Sequence, residues 1–426
     1  MTATPDLEPL PLGATRPLPQ PGNARTLIPL LAQRLHSTAE VIEDRGDPVR
    51  FQLDIPGIYL DGVGERTRCL AACGDDDQTL ASIRKFWMTH GSATTGVVFV
   101  FCTSAGAHAH ACRIVPPGCG LVLAPHEVTG LLHHPDARPL LKRRLRERFS
   151  RRRLSLYNIG LPATDNRFFG RKRELAQLLE NPITHFAIPG PARVGKSSLL
   201  QAYKASLVRL RDPRATRTHE IDFYALPDTR PDTVARHIAM TIKPSYRSSQ
   251  VHAADLVQFF RFCSVQESTQ EKREKPEPLE LLLDETDEVC GGEAFRYLGQ
   301  AARHGLVRLI LAGKKCLYDY ATRSDSVLGG RVRVLRLESL DEPEARDLIR
   351  RPLEDLGLSL CENVIHRILA QSGRRPHLIQ YYCQRLVELT VERSLDEITP
   401  ALLAELERPS PPWTPLDEDD LDRGIE

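Results

Sequence analysis

Residues 190–197 read Gly-Pro-Ala-Arg-Val-Gly-Lys-Ser and fit G-x-x-x-x-G-K-[ST] at every fixed position. No other stretch restricts the fold of this chain as tightly. Two glycines let a backbone wrap a polyphosphate with consecutive N–H groups pointing inward, and a helix beginning near Lys196 adds its positive end. Such a loop needs a strand before it and a helix after it. The apolar run Phe186 to Ile188 and the amphipathic stretch Ser198 to Leu210 supply them. Gly190, Pro191, Ala192, Arg193, Val194, Gly195, Lys196, Ser197 and Ser198 are therefore candidate nucleotide-binding residues. Lys196 is placed to reach the β- and γ-phosphates. Ser197 is placed to put its hydroxyl on Mg²⁺, a hard cation that prefers oxygen.

A second motif lies downstream. Leu279-Glu-Leu-Leu-Leu-Asp-Glu-Thr-Asp-Glu288 predicts a mostly apolar strand that delivers acids to its C-terminal end. Asp284 is expected to orient the Mg²⁺ shell with Ser197, and Glu285 to polarise a water in line with the γ-phosphate. Between the motifs, Thr218 to Leu226 reads as a strand, and Thr233 to Ile242 and Ala253 to Phe262 as helices. The polar stretch Ser268 to Pro278 reads as a surface loop. Val307 to Ala312 is another buried strand, whose end, Gly313-Lys-Lys, should point at the same site. Lys314 or Lys315 there either senses the γ-phosphate or lies in a surface loop. With Arg331 to Leu340 as the last strand, the pattern predicts an α/β fold with a five-stranded parallel sheet flanked by helices. Helices near 342–356, 362–372, 376–392 and 399–407 follow. The first opens on Asp341-Glu-Pro-Glu, acids that suit a helix's positive end.

Three segments carry a family likeness. Phe168-Phe-Gly-Arg-Lys-Arg-Glu174 precedes an apolar helix, Asp284-Glu-x-Asp287 closes the acidic strand, and Ser372-Gly-Arg-Arg-Pro-His-Leu-Ile-Gln380 lies among the last helices. From about 166 to 392 the chain resembles the STAND-type ATPases and their AAA+ relatives, in which the two main motifs are termed Walker A and Walker B. The resemblance implies ATP or ADP held with Mg²⁺ between the core and a helical lid. It implies a slowly hydrolysing signalling switch in which Lys196 and Glu285 are catalytic. Gly170 and Arg171 would run along adenine and ribose, Lys314 would sense the γ-phosphate, and Pro376 would touch the nucleotide. One departure stands out: the glycine of the family's Gly-x-Pro segment falls on Arg374, which allows Arg374 or Arg375 to approach phosphate.

The N-terminal third reads differently. Residues 1–24 are Pro-rich and predicted disordered, and 25–135 form a smaller α/β domain. A basic connector at 136–165, the P-loop NTPase core at 166–340, the lid at 341–408 and an acidic disordered tail at 409–426 complete the division. Within 25–135, a helix over 26–44, strands across Val49 to Leu60, a helix near Gln78 to His90 and a β-branched run Gly96 to Phe101 are expected. This order resembles the restriction-endonuclease-like fold of Mrr-type nucleases, with Asp54 at the first acid. The Glu-x-Lys positions fall on Ala71, Ala72 and Cys73, so the resemblance implies a sensor or interaction module that does not cut DNA. Cys69, Cys73, His108, His110 and Cys112 are zinc-ligand types. The last three alternate as one face of a strand would, and the preferred reading is of structural cysteines.

Residues 142–153 carry eight basic residues, opposed by Glu147 alone. Leu140, Leu141, Leu145 and Phe149 recur at helical spacing, which suits a connector helix with solvated arginines. Contact with nucleic acid is the other use of such a run, and the two are compatible. A net charge of +1 favours no partner class. Ten cysteines without a Cys-x-x-Cys pair, no signal peptide and no apolar run long enough to span a membrane predict a soluble cytoplasmic chain with reduced thiols. After Leu406 no winged helix or repeat array is expected, so recognition would fall to the N-terminal domain, the lid, self-association or a protein partner. The alternative to a signalling switch is a DNA-binding or DNA-processing ATPase that uses the N-terminal domain and the basic connector.

Overall fold

The computed structural model describes residues 24–43, 49–55, 57–60, 67–74, 76–90, 97–116, 118–224, 226–244, 251–270 and 278–407. The expected tails and most of the 268–278 loop lie outside them. The chain divides into two compact units, residues 1–156 with 355–357, and residues 157–354 with 358–426.

In the first unit, helix α1 (Ala24–Arg34) leads to strands β1 (Thr38–Glu43), β2 (Val49–Asp54) and β3 (Thr67–Ala72), helix α2 (Asp77–His90), β4 (Val98–Cys102), helix α3 (Ala105–Ile114), β5 (Gly120–Leu123) and helices α4 (Pro125–His133), α5 (Arg138–Arg148) and α6 (Arg151–Leu154). The sheet runs β1-β2-β3-β4-β5. Its first two pairings are antiparallel and its last two parallel. Ile83 and Phe86 of α2 and Ala107 and Ala111 of α3 pack on Leu70, Val98 and Val100 of the sheet.

Three expectations change here. The helix over 26–44 stops at Arg34, His36 turns the chain at φ 47°, and Thr38 onward pairs with β2, Thr38 opposite Asp54. Cross-strand pairing outweighs a local apolar pattern that fits either element. The antiparallel register also sets Leu53 against Thr67 and Val49 against Ala71. Asp54 therefore sits at the far end of the ladder from Ala71, Ala72 and Cys73, roughly 17 Å or more away along the strand, and these positions do not form one centre. Finally, His108, His110 and Cys112 lie on a helix. His108 and Cys112 meet one turn apart, Nε2 to Sγ 3.4 Å, while Cys69 is fully buried and burial pushes its thiol up. No group of three or more His, Cys, Asp or Glu side chains that could hold a metal is found among the described residues.

The basic segment is two helices. Ser150 caps the second, accepting from Arg153 N. Leu141 and Leu145 are fully buried and Phe149 nearly so. The opposing charge is larger than Glu147 alone. Arg144 pairs with Glu147 at 2.7 Å and with Glu127 of α4 at 3.2 Å, and Arg148 stands 4.0 Å from Glu127.

The second unit holds helix α7 (Lys172–Glu180), β6 (His185–Pro189), α8 (Lys196–Arg209), β7 (Thr218–Asp222), α9 (Pro231–Ile242), α10 (Leu256–Gln270), β8 (Leu279–Asp284), α11 (Glu293–Arg303), β9 (Val307–Gly313), α12 (Lys315–Thr322) and β10 (Val332–Val334). Helices α13 (Glu342–Asp355), α14 (Glu362–Ser372), α15 (Pro376–Glu392) and α16 (Pro400–Leu406) follow. All pairings in its five-stranded sheet are parallel, in the order β10-β6-β9-β8-β7. Both faces are covered, which is why these strands read as unbroken apolar runs. Leu281, Leu283, Leu309 and Leu311 face one core with α9, α10 and α11, while Phe186, Ile188, Leu282 and Ile310 face another with α7 and α8. The last strand is shorter than the expected 331–340. Leu335 N still donates to Ala187 O at 2.8 Å, after which Leu337 packs into the second core outside the ladder.

One charged pair is sealed inside this sheet. Glu280 and Arg308 are neighbours across β8 and β9, only 3 % and 2 % exposed. Tyr203 donates to Glu280 at 2.8 Å and Thr218 at 2.9 Å. Arg308 also donates to the carbonyls of Leu178, Asn181 and Thr184, each at 2.9 Å. Every polar group of the pair thus finds a partner, the condition under which a buried ion pair is tolerated.

Candidate functional site

Strand β6 ends in the 190–197 loop. Gly190 N donates to Gly313 O at 3.1 Å, which ties the start of the loop to the end of β9. Arg193 and Gly195 are left-handed, at φ 63° and 102°. At Gly195 this conformation turns the chain into α8 without a Cβ penalty. The Lys196 side chain is 5 % exposed and arches back across the loop, its Nζ donating to Gly190 O and Pro191 O, both at 2.9 Å. Burial lowers its pKa, against the opposing pull of Glu285, Asp284 and Asp287. The acidic motif and the loop therefore share one electrostatic site, on either side of β9.

The acids have distinct settings. Asp284 is buried and accepts from Glu285 N at 2.9 Å. Glu285 is left-handed, at φ 50°, and half-buried. Thr286 donates its hydroxyl to Ala312 O at 2.9 Å. Asp287 accepts from Lys314 N and, at 3.3 Å, from Leu317 N, so it caps α12 from outside. The Lys314 backbone is pinned while its side chain is exposed.

The segments around the loop fasten to it. Arg171, 4 % exposed, donates to Val194 O at 3.3 Å, to Glu338 O and to Glu174 at 3.0 Å. Gly170, at φ 75°, lies so close to Glu344 that a Cβ would stand 2.6 Å from its carboxylate. Ser198 turns away from the loop and accepts from Ala163 N at 2.9 Å. Ser197 is half-buried, and Ala192 and Arg193 are exposed. Pro376 opens α15, and Arg374 O accepts from Leu340 N at 3.1 Å. Next to Pro376, the His377 ring lies against the Arg193 backbone, while its buried Nδ1 has no partner. Burial, then Arg193 and Arg375, keep this ring below the ordinary histidine range.

The sequence pattern of the Novel STAND NTPase 1 family matches residues 160–399, more than half of the chain. The chain belongs to this family. This STAND NTPase is accordingly a P-loop NTPase, an α/β sheet protein preceded by a smaller α/β unit. No curated protein sequence matches it. Solved structures similar to it include the Holliday junction branch migration motor RuvB of Thermotoga maritima, at 15% identity and TM-score 0.36, covering 58% of this chain and 72% of that one. The Aeropyrum pernix ORC1 protein in complex with DNA matches at 16% and 0.41, covering 56% and 65%. Drosophila ORC bound to DNA matches at 13% and 0.42, covering 60% and 65%. At such identities and scores they say nothing about what this STAND NTPase acts on.

Its donor set fits a hard cation. The Ser197 hydroxyl and the Asp284 carboxylate are oxygen donors, and Mg²⁺ takes one or two protein oxygens and keeps its waters. His377 escaped the sequence reading, because an imidazole at the second position of a helix has no spacing signature. The anchoring role of Arg171 escaped it too, since Val194 and Glu338 are remote in sequence.

Proposed function

We propose that this STAND NTPase binds ATP with Mg²⁺ at the 190–197 loop, hydrolyses it slowly, and works as a nucleotide-controlled switch between its core and its C-terminal helices. The observation that supports this most is the sheet order, in which β6, leading into the loop of Lys196, and β8, ending in Asp284 and Glu285, lie on either side of β9, with the acids acting on the Lys196 charge. Lys196 would exchange the Gly190 and Pro191 carbonyls for phosphate oxygens. Ser197 and Asp284 would hold Mg²⁺, whose chemistry when bound is to neutralise charge on the phosphates. Glu285 would orient the attacking water, and Lys314 would meet the γ-phosphate. Gly170 and Arg171 would keep the preceding segment beside the nucleotide, and Pro376 would close on it. A 1:99 to 99:1 shift requires ~5.5 kcal/mol of preference for one state, within reach of several charge-assisted contacts. The output would pass to a protein partner or a second copy.

The test is ATP binding and turnover by wild type, Lys196→Ala and Glu285→Gln. Lys196→Ala should bind at least about tenfold more weakly, as loss of a charge-assisted contact implies. Glu285→Gln should bind normally and turn over little. Equal turnover in all three would overturn the mechanism.

A second reading, an ATPase that acts on DNA, rests on the exposed arginines 143, 146, 148 and 152 of α5 and α6. ORC1 and ORC, cited above, are DNA complexes, a property of those proteins. In this reading the first unit binds without cutting. Affinity for duplex DNA should then fall with salt and fall further in Arg146→Ala/Arg152→Ala, and turnover should rise with DNA. Affinity that ignores both salt and substitution would remove it. Mg²⁺-dependent cleavage of plasmid would overturn the non-cutting role.

A further inference from the structure

Two of the ten cysteines, far apart in sequence, meet beside the acidic motif. Cys290 follows the Thr286–Glu288 turn, and Cys316 lies in the first turn of α12. The Cys290 thiol donates to Cys316 O at 3.7 Å, and the Cys316 side chain is near enough to act on its charge. Cys316 is exposed and Cys290 partly so, whereas Cys69, Cys102, Cys263 and Cys383 are buried. Burial and the neighbouring Cys316 push the Cys290 thiol up, so Cys316, open to solvent, is the sulfur an oxidant meets first. No group of three or more metal-ligand side chains is present among the described residues.

We propose that Cys290 and Cys316 are a peroxide-sensitive dithiol whose closure to a disulfide fastens the turn after Glu285 to the helix after Lys314 and slows nucleotide turnover. The Cys316 sulfur attacks hydrogen peroxide, the O–O bond breaks, and Cys316 sulfenic acid and one water form. The Cys290 sulfur then attacks Cys316, the S–O bond breaks, and a second water leaves. Each thiol loses one hydrogen, the two sulfurs are oxidised to a disulfide, and one peroxide is reduced to two waters. The clamp falls where motion matters. Asp287 already ties this turn to Lys314 N and Leu317 N, and a covalent link removes what freedom remains between Glu285 and Lys314. Only the effect on turnover rests on the ATPase reading; formation of the bond does not.

The experiment treats the full chain with hydrogen peroxide, blocks free thiols, and maps peptides by mass before and after dithiothreitol. A peptide joining Cys290 to Cys316 is expected, absent in Cys290→Ser and in Cys316→Ser. ATP turnover of wild type should fall by about an order of magnitude on oxidation, as gated motions permit, and return with reductant, while both variants stay unaffected. Both thiols recovered unjoined, or joined to other cysteines, would overturn the proposal. Joined thiols with unchanged turnover would overturn its regulatory half. A reduced chain that hydrolyses no ATP would count against the ATPase reading, and the peptide map would then decide the dithiol alone.

Discussion

The Lys196 ammonium donates to two loop carbonyls, so in the proposed function an incoming phosphate would have to compete with them for it. Gly170, beside that loop, leaves no room for a side chain. At φ 75°, an alanine there would adopt a strained backbone and press its methyl on the Glu344 carboxylate and on Leu340, 2.9 Å away. Gly170→Ala should cost about 1–3 kcal/mol in urea unfolding; an unchanged midpoint would refute the close approach. The loop and the acids were legible in the sequence because each is a contiguous strand-to-turn segment whose chemistry dictates its order. The anchoring contacts of Arg171 and the place of His377 were not, since Val194, Glu338 and Arg193 arrive through tertiary structure. Asp287 was read as part of a motif, yet its visible work is to hold Lys314 N and Leu317 N.

Strands β8 and β9 show what a parallel pair needs at a buried charge. Arg308→Met alone would leave Glu280 in the core without its cation and should cost about 3–5 kcal/mol, while Glu280→Leu with Arg308→Met should cost clearly less. Equal losses in denaturant titration would mean that the charges matter only as packing. Gly313→Ala tests the other end of β9, where a Cβ would fall on the Asp287 carboxylate and 2.7 Å from Thr286 Oγ1. ATP turnover should drop by about tenfold with affinity little changed, as expected for a displaced positioning group; an unaltered rate would detach Asp287 from catalysis. Parallel strands buried on both faces announce themselves by length and apolarity, so the sheet of the second unit was legible. In the first unit, β1 was hidden inside a helix-like pattern and α3 inside a strand-like alternation. Short segments with a few apolar residues satisfy both periods, and pairing or packing decides.

Across the second unit, three histidines share one bias. Burial lowers His185, His219 and His377 from the ordinary 6.5. Each folded-state value lies below that of the unfolded chain, so the fold favours the neutral ring. The stability these groups contribute is complete above 6.5 and is lost as pH falls through the folded values. The urea midpoint should therefore be lower at about pH 5.5 than at about pH 7.5, and a midpoint that rises on acidification would contradict it. No helix among the described residues is long and apolar enough to cross a membrane.

Strand β6 has β9 and β10 as its neighbours, both contributed by later sequence. A ribosome extending this chain thus releases the phosphate loop well before either flanking partner exists. The loop's supporting strand stays unzipped until residues 307–313 emerge, and a nascent polypeptide halted before that point would present bare β edges to chaperones rather than a nucleotide pocket.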